Sequence, residues 1–488
     1  MTPQSPPEQQ RRRWLILAML GVAQLMVVLD ATIVNIALPS AQHALGFSDG
    51  SRQWVITAYA LAFGSLLLLG GRMGDFFGRK RALVIGLGGF AGASALAGLA
   101  PSFGVLVAAR ALQGAFGALL APSALSILTT TFTDPRERGR AFGIYGAIAG
   151  GGGAIGLLLG GVLTQFIDWR ATMFVNLAFA LPAALAASAL LVNERPLVRP
   201  RLDLRGAITA SGGLFSLVYG FSSAETHSWG APATVGFLVA GVALLSVFLA
   251  IQARSQNPLL PLRVMLDRDR GGSYAAIGIV GAGMFGVFLF LTYYLQRTLG
   301  YSPLRTGVAF LPMTVVLIAA ATLVSTRVMP RTGPRPLIPT GMLLSGAAML
   351  ALTRVGLHTS YVSGVLPALL LVGAGMGLIF APAMASATGG VHSVDAGVAS
   401  ALVNTSQQIG GSLGTALLSA FSTTAAAHYL AAHGVPSAAT ISLSAVHGYT
   451  TAFHIAAGIF LFGAALTSVL LRSGAQQLQP SAQQVFAH

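Results

Sequence analysis

No cysteine occurs among the 488 residues. Disulfide frameworks, thiolate metal sites, a cysteine nucleophile and palmitoylation are thereby excluded, and the redox compartment is left open. Charge is also scarce, at 8% of residues, where a soluble globular chain carries about 25%. Acidic residues are the rarest, 13 against 28 Lys+Arg, and Lys80 is the one lysine. No Gly-Lys-Ser/Thr phosphate loop occurs, which excludes a self-contained ATP-driven pump of the usual type. The Gly281 to Gly286 spacing imitates a dinucleotide fingerprint but sits inside an apolar run. Each histidine stands in a loop or near the end of a run, without metal-ligand company. No metal, cofactor or enzymatic chemistry is expected.

What fills the chain is apolar: 54% of residues are hydrophobic and 60 are glycine. About twenty residues at 1.5 Å each cross a hydrocarbon core of about 30 Å, and barrel strands would alternate polar and apolar instead. The fold class read from this is an all-α polytopic membrane protein. Fourteen spans are expected, near 14–38, 53–70, 82–100, 103–127, 141–165, 171–192, 206–224, 232–253, 273–296, 305–326, 335–353, 361–385, 397–421 and 450–471. The first run is too long for the apolar core of a cleavable signal, so none is expected. Segments 1–10 and 474–488 read as disordered ends.

The basic residues set an orientation. With the N-terminus cytoplasmic, 22 of the 28 Lys+Arg fall inside, 5 (Arg52, Arg170, Arg297, Arg305 and Arg354) fall outside, and Arg110 lies within a span. Both termini are then cytoplasmic. The net charge of +15 is explained by topology anchors facing anionic membrane lipid, with no nucleic-acid partner required.

An internal repeat is visible. The loop after the second span runs from Arg72 to Gly78, and the loop after the tenth runs from Arg327 to Gly333. Gly151-Gly152 has a counterpart in Gly410-Gly411. The domain reading is a cytoplasmic tail (1–13), a six-helix bundle (14–200), an inserted helix pair (201–258), a second six-helix bundle (259–473) and a disordered tail (474–488). Two similar halves in one orientation are a transporter architecture, with the substrate site between them near the midplane.

Asp30 is the only acidic residue well inside a span; the other twelve acids lie in loops or at ends. An ionisable group in hydrocarbon is a functional candidate by default. Counting from the outer ends, Asp30 lies about 15 Å deep and Arg110 about 12 Å deep at 1.5 Å per residue. The two can therefore interact. Burial favours the neutral acid and Arg110 the carboxylate, and the sequence leaves that balance open. Asn404, Gln407 and Gln408 share one helix face at spacing i, i+3, i+4. Met284, Phe285, Phe288, Tyr293 and Tyr294 enrich the ninth span in polarisable and aromatic groups that suit a flat apolar guest, or equally an interfacial belt.

Several motifs carry a resemblance. Gly71-Arg-Met-Gly-Asp75-Phe-Phe-Gly78-Arg79-Lys80 resembles the loop signature of the major facilitator superfamily. Arg110-Ala-Leu-Gln113-Gly114 resembles a second superfamily motif. Leu29-Asp30-Ala-Thr32-Ile-Val-Asn35-Ile-Ala-Leu38-Pro39 is similar to the first-span signature of the fourteen-span drug:proton antiporter family. Gly152, Gly156, Gly160 and Gly161 fit that family's antiporter helix, with Leu157 standing where the signature has proline. Trp169-Arg170 with Asn176, and Gly300-Tyr-Ser-Pro303, also resemble it.

The resemblance covers nearly the whole chain and implies a major facilitator fold of fourteen helices arranged 6+2+6. It implies proton-coupled efflux of amphiphilic drugs by alternating access from the bacterial inner membrane, with the proton gradient as energy source and the chain acting as a monomer. Asp30 and Arg110 would then handle the proton. Gly71, Asp75, Gly78, Arg79 and Lys80 would form a conformational latch; Arg138 and Arg140 are further basic partners, because Phe76 replaces a basic residue of the signature. Asn35, Tyr59, Gln113, Phe285, Phe288, Tyr293, Asn404, Gln407 and Gln408 would line the substrate cavity. The rival readings are a transporter of one specific metabolite and a non-transporting membrane sensor or scaffold.

Overall fold

An apolar chain in hydrocarbon must satisfy every backbone N–H and C=O within itself, and the helix does so locally. The computed structural model describes residues 6–132, 134–192, 203–255, 258–260, 262–388, 396–433 and 437–472, and helices dominate these. The long ones are α1 (Pro6–Leu45), α2 (Trp54–Phe77), α3 (Arg79–Gly98), α4 (Phe103–Thr131), α5 (Pro135–Phe166), α6 (Ala171–Leu190) and α7 (Leu204–Thr226). There follow α8 (Pro232–Arg254), α9 (Arg268–Tyr293), α10 (Pro303–Leu323), α11 (Pro334–Leu352), α12 (Leu366–Thr388), α13 (Ala396–Ala432) and α14 (Ala438–Leu470). Among the described residues, 10 helices are long and apolar enough to cross a membrane. Wider π-type turns at Tyr294–Thr298 and Val324–Val328 extend α9 and α10.

The helices overrun the apolar runs that announce them. α1 begins at Pro6 rather than near residue 14, because the basic residues beyond the hydrocarbon find partners. Arg12 donates to the Leu190 carbonyl at the end of α6 (2.7 and 3.1 Å), and Arg13 pairs with Glu137 of α5 at 3.1 Å. Residues 1–5 and 473–488 lie outside the described residues, as do 133, 193–202, 256–257, 261, 389–395 and 434–436.

Helix packing repeats with a period of eight helices. In the first half α1 packs on α5 and α6, α4 on α2 and α3, and α3 on α6. In the second, α9 packs on α13 and α14, α12 on α10 and α11, and α11 on α14. The turns repeat as well. Gly46 (φ 67°) and Gly300 (φ 66°) follow the first helix of each half, and Gly78 (φ 92°) and Gly333 (φ 70°) follow the second. A side chain at such φ is strained, which explains why the two short basic loops share a glycine.

The halves meet along three seams: α1 with α9, α2 with α13, and α5 with α10. Close approach there depends on missing side chains. Gly64 of α2 abuts Gln408 of α13, and Gly161 of α5 abuts Pro303 and Leu304 at the start of α10. α7 and α8 pack on each other through Gly213, Gly220 and Gly241. α7 also covers the α2–α13 seam, through an apolar cluster of Leu61, Leu214, Val218 and Ala416.

Candidate functional site

α1 carries Asp30 into the interior of the first half, where it is completely buried. Two helices supply three donors. Arg110 of α4 gives Nη1 to Asp30 Oδ2 at 2.6 Å. Gln113, one turn on, gives Nε2 to Oδ1 at 3.1 Å, and Asn176 of α6 gives Nδ2 to the same oxygen at 2.7 Å. The amide orientation of Gln113 follows from Arg110, which only donates: its Nη1 reaches Gln113 Oε1 at 3.0 Å, so the amide nitrogen turns to the carboxylate. Ser94 Oγ of α3 accepts from Gln113 at 2.6 Å and Asn176 at 3.3 Å, which holds both amides in place. Arg110 is itself held by the Val55 carbonyl, to which its Nε donates at 3.0 Å, and by the Tyr59 ring 4.5 Å from Cζ. Every partner donates toward Asp30, the coordination of an ionised carboxylate.

The glycines of α5 bring α1 into place. A side chain at 156 would collide with Thr32, and at 152 and 160 it would press tightly on Val28 and Ile33, so these three form the face on which the Asp30 helix lies. Gly161 points elsewhere, to α10 of the other half. With Leu157 in place of proline, α5 runs unbroken from Pro135 to Phe166. Above Asp30, toward the α1–α2 loop, the interior is closed by Val34, Ala37, Leu38, Val55, Leu106 and Trp169 around a small apolar void.

A second polar cluster ties the halves together beside that loop. Tyr293 of α9 donates its hydroxyl to Gln42 of α1 at 2.6 Å, and Gln42 donates to Asp49 at 2.8 Å. Asp49 pairs with Arg297 of the second half at 2.9 Å and with Arg52 of its own half at 3.4 Å. Gln296 donates to the Ile36 carbonyl at 3.1 Å, and the Leu304 N–H to Gln165 at 3.2 Å. Burial works against the Asp49 carboxylate, but Arg52, Gln42 and Arg297 outweigh it and hold its pKa below the ordinary 3.8.

The expected site residues therefore fall into separate groups. Asp30, Arg110, Gln113 and Tyr59 come together, with Gln113 as a ligand of the carboxylate and Tyr59 stacked under the arginine. Ser94 and Asn176 complete this group; neither was assigned a role from sequence, though small polar residues at matching depth in α3 and α6 were the available signal. Asn35 is buried and donates to Ala31 and Thr32 of its own helix (3.0 and 3.4 Å). Phe288 is buried against Phe310 (ring centroids 5.3 Å apart), and Tyr293 belongs to the outer cluster. Gln407 and Gln408 are half-buried where α13 meets α9 and α2, and Asn404 is exposed. In the latch loop, Gly71 lies 3.6 Å from Pro122 when given a Cβ, and Lys80 donates to the Ser188 carbonyl at 2.7 Å. Arg79 is half-buried at the start of α3. The side chains of Asp75, Arg138, Arg140 and Phe285 lie outside the described ones.

Comparison with known proteins agrees with this architecture. Residues 20–415 match the model of the Major Facilitator Superfamily. A puromycin resistance protein of Streptomyces alboniger is 51% identical over 464 residues, covering 95% of this chain and 92% of that protein. A cephamycin export protein of Amycolatopsis lactamdurans is 39% identical over 399 residues, 81% of this chain and 82% of that one. A bacterial homolog of the human lysosomal transporter Spinster, inward-facing and unoccupied, superposes with a TM-score of 0.66 at 17% identity, over 96% of this chain and 98% of that one. The POT-family transporter PepTSo superposes with a TM-score of 0.69 at 13% identity, over 96% and 98%; likeness at such identity is one of fold. The repeated packing, the family match and the relatives converge: the chain belongs to the major facilitator superfamily, and is a multi-pass membrane transporter rather than an enzyme.

Proposed function

We propose that this transporter exports amphiphilic antibiotics or similar toxic compounds across the bacterial inner membrane in exchange for protons, with Asp30 as the proton carrier. The observation that carries the reading is a fully buried carboxylate held by three donors from α4 and α6. Such a group costs much to maintain in a membrane protein unless its charge state is used. The relatives named for puromycin resistance and cephamycin export support efflux as the direction. We read all fourteen long helices as spans arranged 6+2+6, termini inside, on the 22-to-5 distribution of basic residues. The inter-half hydrogen bonds among the described residues gather at the end this topology assigns to the outside, which supports a conformation closed outward.

A proton on Asp30 removes the charge that Arg110, Gln113 and Asn176 serve, and these groups then need other partners. Outside protonation would favour substrate release, and deprotonation inside would reset the site. The chain works as a monomer, its basic loops against anionic lipid. Dye efflux from inverted vesicles after a pH jump tests the reading. Asp30→Asn abolishes proton-driven efflux while the folded protein remains in the membrane; full coupling in that variant overturns the assignment. Transport of one particular compound is the second reading, favoured by relatives named for single antibiotics. A panel of unrelated dyes separates the two: a narrow transporter moves few of them.

A further inference from the structure

Arg52 is a buried cation that few hydrogen bonds hold. It belongs to the first half, in the loop before α2, yet its guanidinium lies among three rings of the second half. Its Cζ is 4.1 Å from the Tyr293 centroid, 5.8 Å from that of Tyr449 and 5.9 Å from that of Phe290. All three rings are buried. Its one ion pair is the 3.4 Å contact with Asp49, and its Nε has no partner among the described residues. Tyr293 meets the charge with its ring face, and Tyr449 adds its hydroxyl as a hydrogen-bond acceptor, a combination that would also hold an ammonium group.

Rigid rocking of one half against the other, the motion that the proposed alternating access requires, takes Arg52 away from α9 and α14. Three electron-rich rings then face the opened outer cavity without Arg52 among them, Arg297 remaining beside Tyr293. We propose that Phe290, Tyr293 and Tyr449 form an aromatic box that takes the ammonium group of a departing substrate when the outer seam opens. Arg52 is its tethered competitor, which re-enters the box and expels the substrate as the seam closes. Tethering gives Arg52 an effective concentration of order mM, enough to displace a weakly held guest without a separate energy source. Arg297 stays with the second half, 5.0 Å from the Tyr293 centroid. Its charge at the rim selects a single soft monocation over a dication. This inference rests on the export reading and adds a site to it.

The test is an equilibrium one, on the whole chain in nanodiscs without a proton gradient, so it holds or fails independently of the Asp30 flux experiment. The probes are tetraphenylphosphonium and neutral triphenylphosphine oxide. Arg52→Gln empties the box and should bind the cation about 5- to 30-fold more tightly, the range of a desolvated cation–π contact, with the neutral probe unchanged. Adding Tyr293→Leu to Arg52→Gln should remove the gain, and Tyr293→Phe, which keeps the ring, should preserve it. Adding Tyr449→Leu repeats the test at a second wall, should the Tyr293→Leu protein fail to fold. Cation binding by Arg52→Gln no tighter than wild type overturns the proposal. A gain that survives loss of either ring, or that the neutral probe shares, overturns it as well.

Discussion

Opening the outer seam should depend more on the buried tyrosine than on the charged pair beside it. Only contacts that cross between the halves differ in strength between closed and open states, and only a differential contact moves the equilibrium. Gln42–Asp49 and Arg52–Asp49 lie within the first half and survive opening. Tyr293–Gln42 and Arg297–Asp49 do not. The first is a buried neutral hydrogen bond at 2.6 Å, worth about 0.5–1.5 kcal/mol. The second is half-exposed, 41% for Arg297 and 58% for Asp49, worth about 0.2–1 kcal/mol. Tyr293→Phe should therefore raise the outward-open population about 2- to 12-fold, and Asp49→Asn by no more than about 5-fold, at RT of about 0.6 kcal/mol. Gln42 joins both contacts, so the double variant will not be additive. The chain has no cysteine, so spin labels introduced in the 46–53 and 353–360 loops report inter-half distances without background, by pulsed EPR. Asp49 has a depressed pKa; its ion pair is present above that value and is lost only as pH falls through it, below 3.8. Any pH response between about 8 and 5 should thus be the same in wild type and Asp49→Asn. A larger effect from Asp49→Asn than from Tyr293→Phe, or a pH response that differs between the two proteins, would refute the reasoning.

Removing Arg110 leaves Asp30 buried without its cation, so Arg110→Ala should cost about 3–5 kcal/mol of stability; Asp30→Asn/Arg110→Ala should melt higher than Arg110→Ala alone, and equal melting would mean that the pair is uncoupled. A side chain at 156 runs into Thr32, whereas a Cβ at 153 would stay 3.9 Å from it. Gly156→Val should then destabilise by about 1–3 kcal/mol and Gly153→Ala hardly at all, as read by thermal aggregation in detergent. With one buried acid among the described residues, one proton per cycle is expected. Exporting a dication then works against about 2.3 kcal/mol per 100 mV, so matched mono- and dicationic dyes under a potassium–valinomycin clamp should differ; equal export requires a second carrier, with Glu225 the first to test.

Much of this was legible in residue spacing, because membrane burial makes a lone acid conspicuous. Asp30 and Arg110 were found by depth along their helices, and the structure joins them at 2.6 Å. The helix series was legible from apolar runs, and its ends were not, since Arg12 and Arg13 continue α1 by pairing beyond the hydrocarbon. Ser94 escaped, and Asn176 was noted only as part of a family motif, because a serine and an asparagine carry no intrinsic mark of the carboxylate they serve; tertiary contact between α3, α4 and α6 gives them that role. The outer cluster escaped for a different reason. Asp49, Arg52 and Arg297 count as loop charges when orientation is scored, and only folding carries Arg52 beneath the rings of Phe290, Tyr293 and Tyr449.

The architecture is repeated but its chemistry is not. Gly114 of α4 lies against the Tyr59 carbonyl of α2, and Gly373 of α12 lies against the Met313 carbonyl of α10, so the two contacts correspond. Four residues earlier on each helix stand Arg110 and Leu369, and one residue earlier stand Gln113 and Val372, all of them buried. Where the first half holds a charged network, the second holds hydrocarbon. Proton occupancy can therefore act on the second half only across the seams, and of the helices that form them α1 is the one that carries Asp30. Asp30 sits on it; about 9 Å further along at 1.5 Å per residue, the Ile36 carbonyl accepts from Gln296, and Gln42 beyond it accepts from Tyr293. A shift of α1 when Arg110, Gln113 and Asn176 release the carboxylate would reach both seam contacts through one rigid element, against the glycine face of α5 that leaves it room to slide. Bulk at 156 should for that reason slow opening in any variant that still folds, and a Gly156→Ala protein with wild-type stability and wild-type inter-half distances would remove α1 from this role.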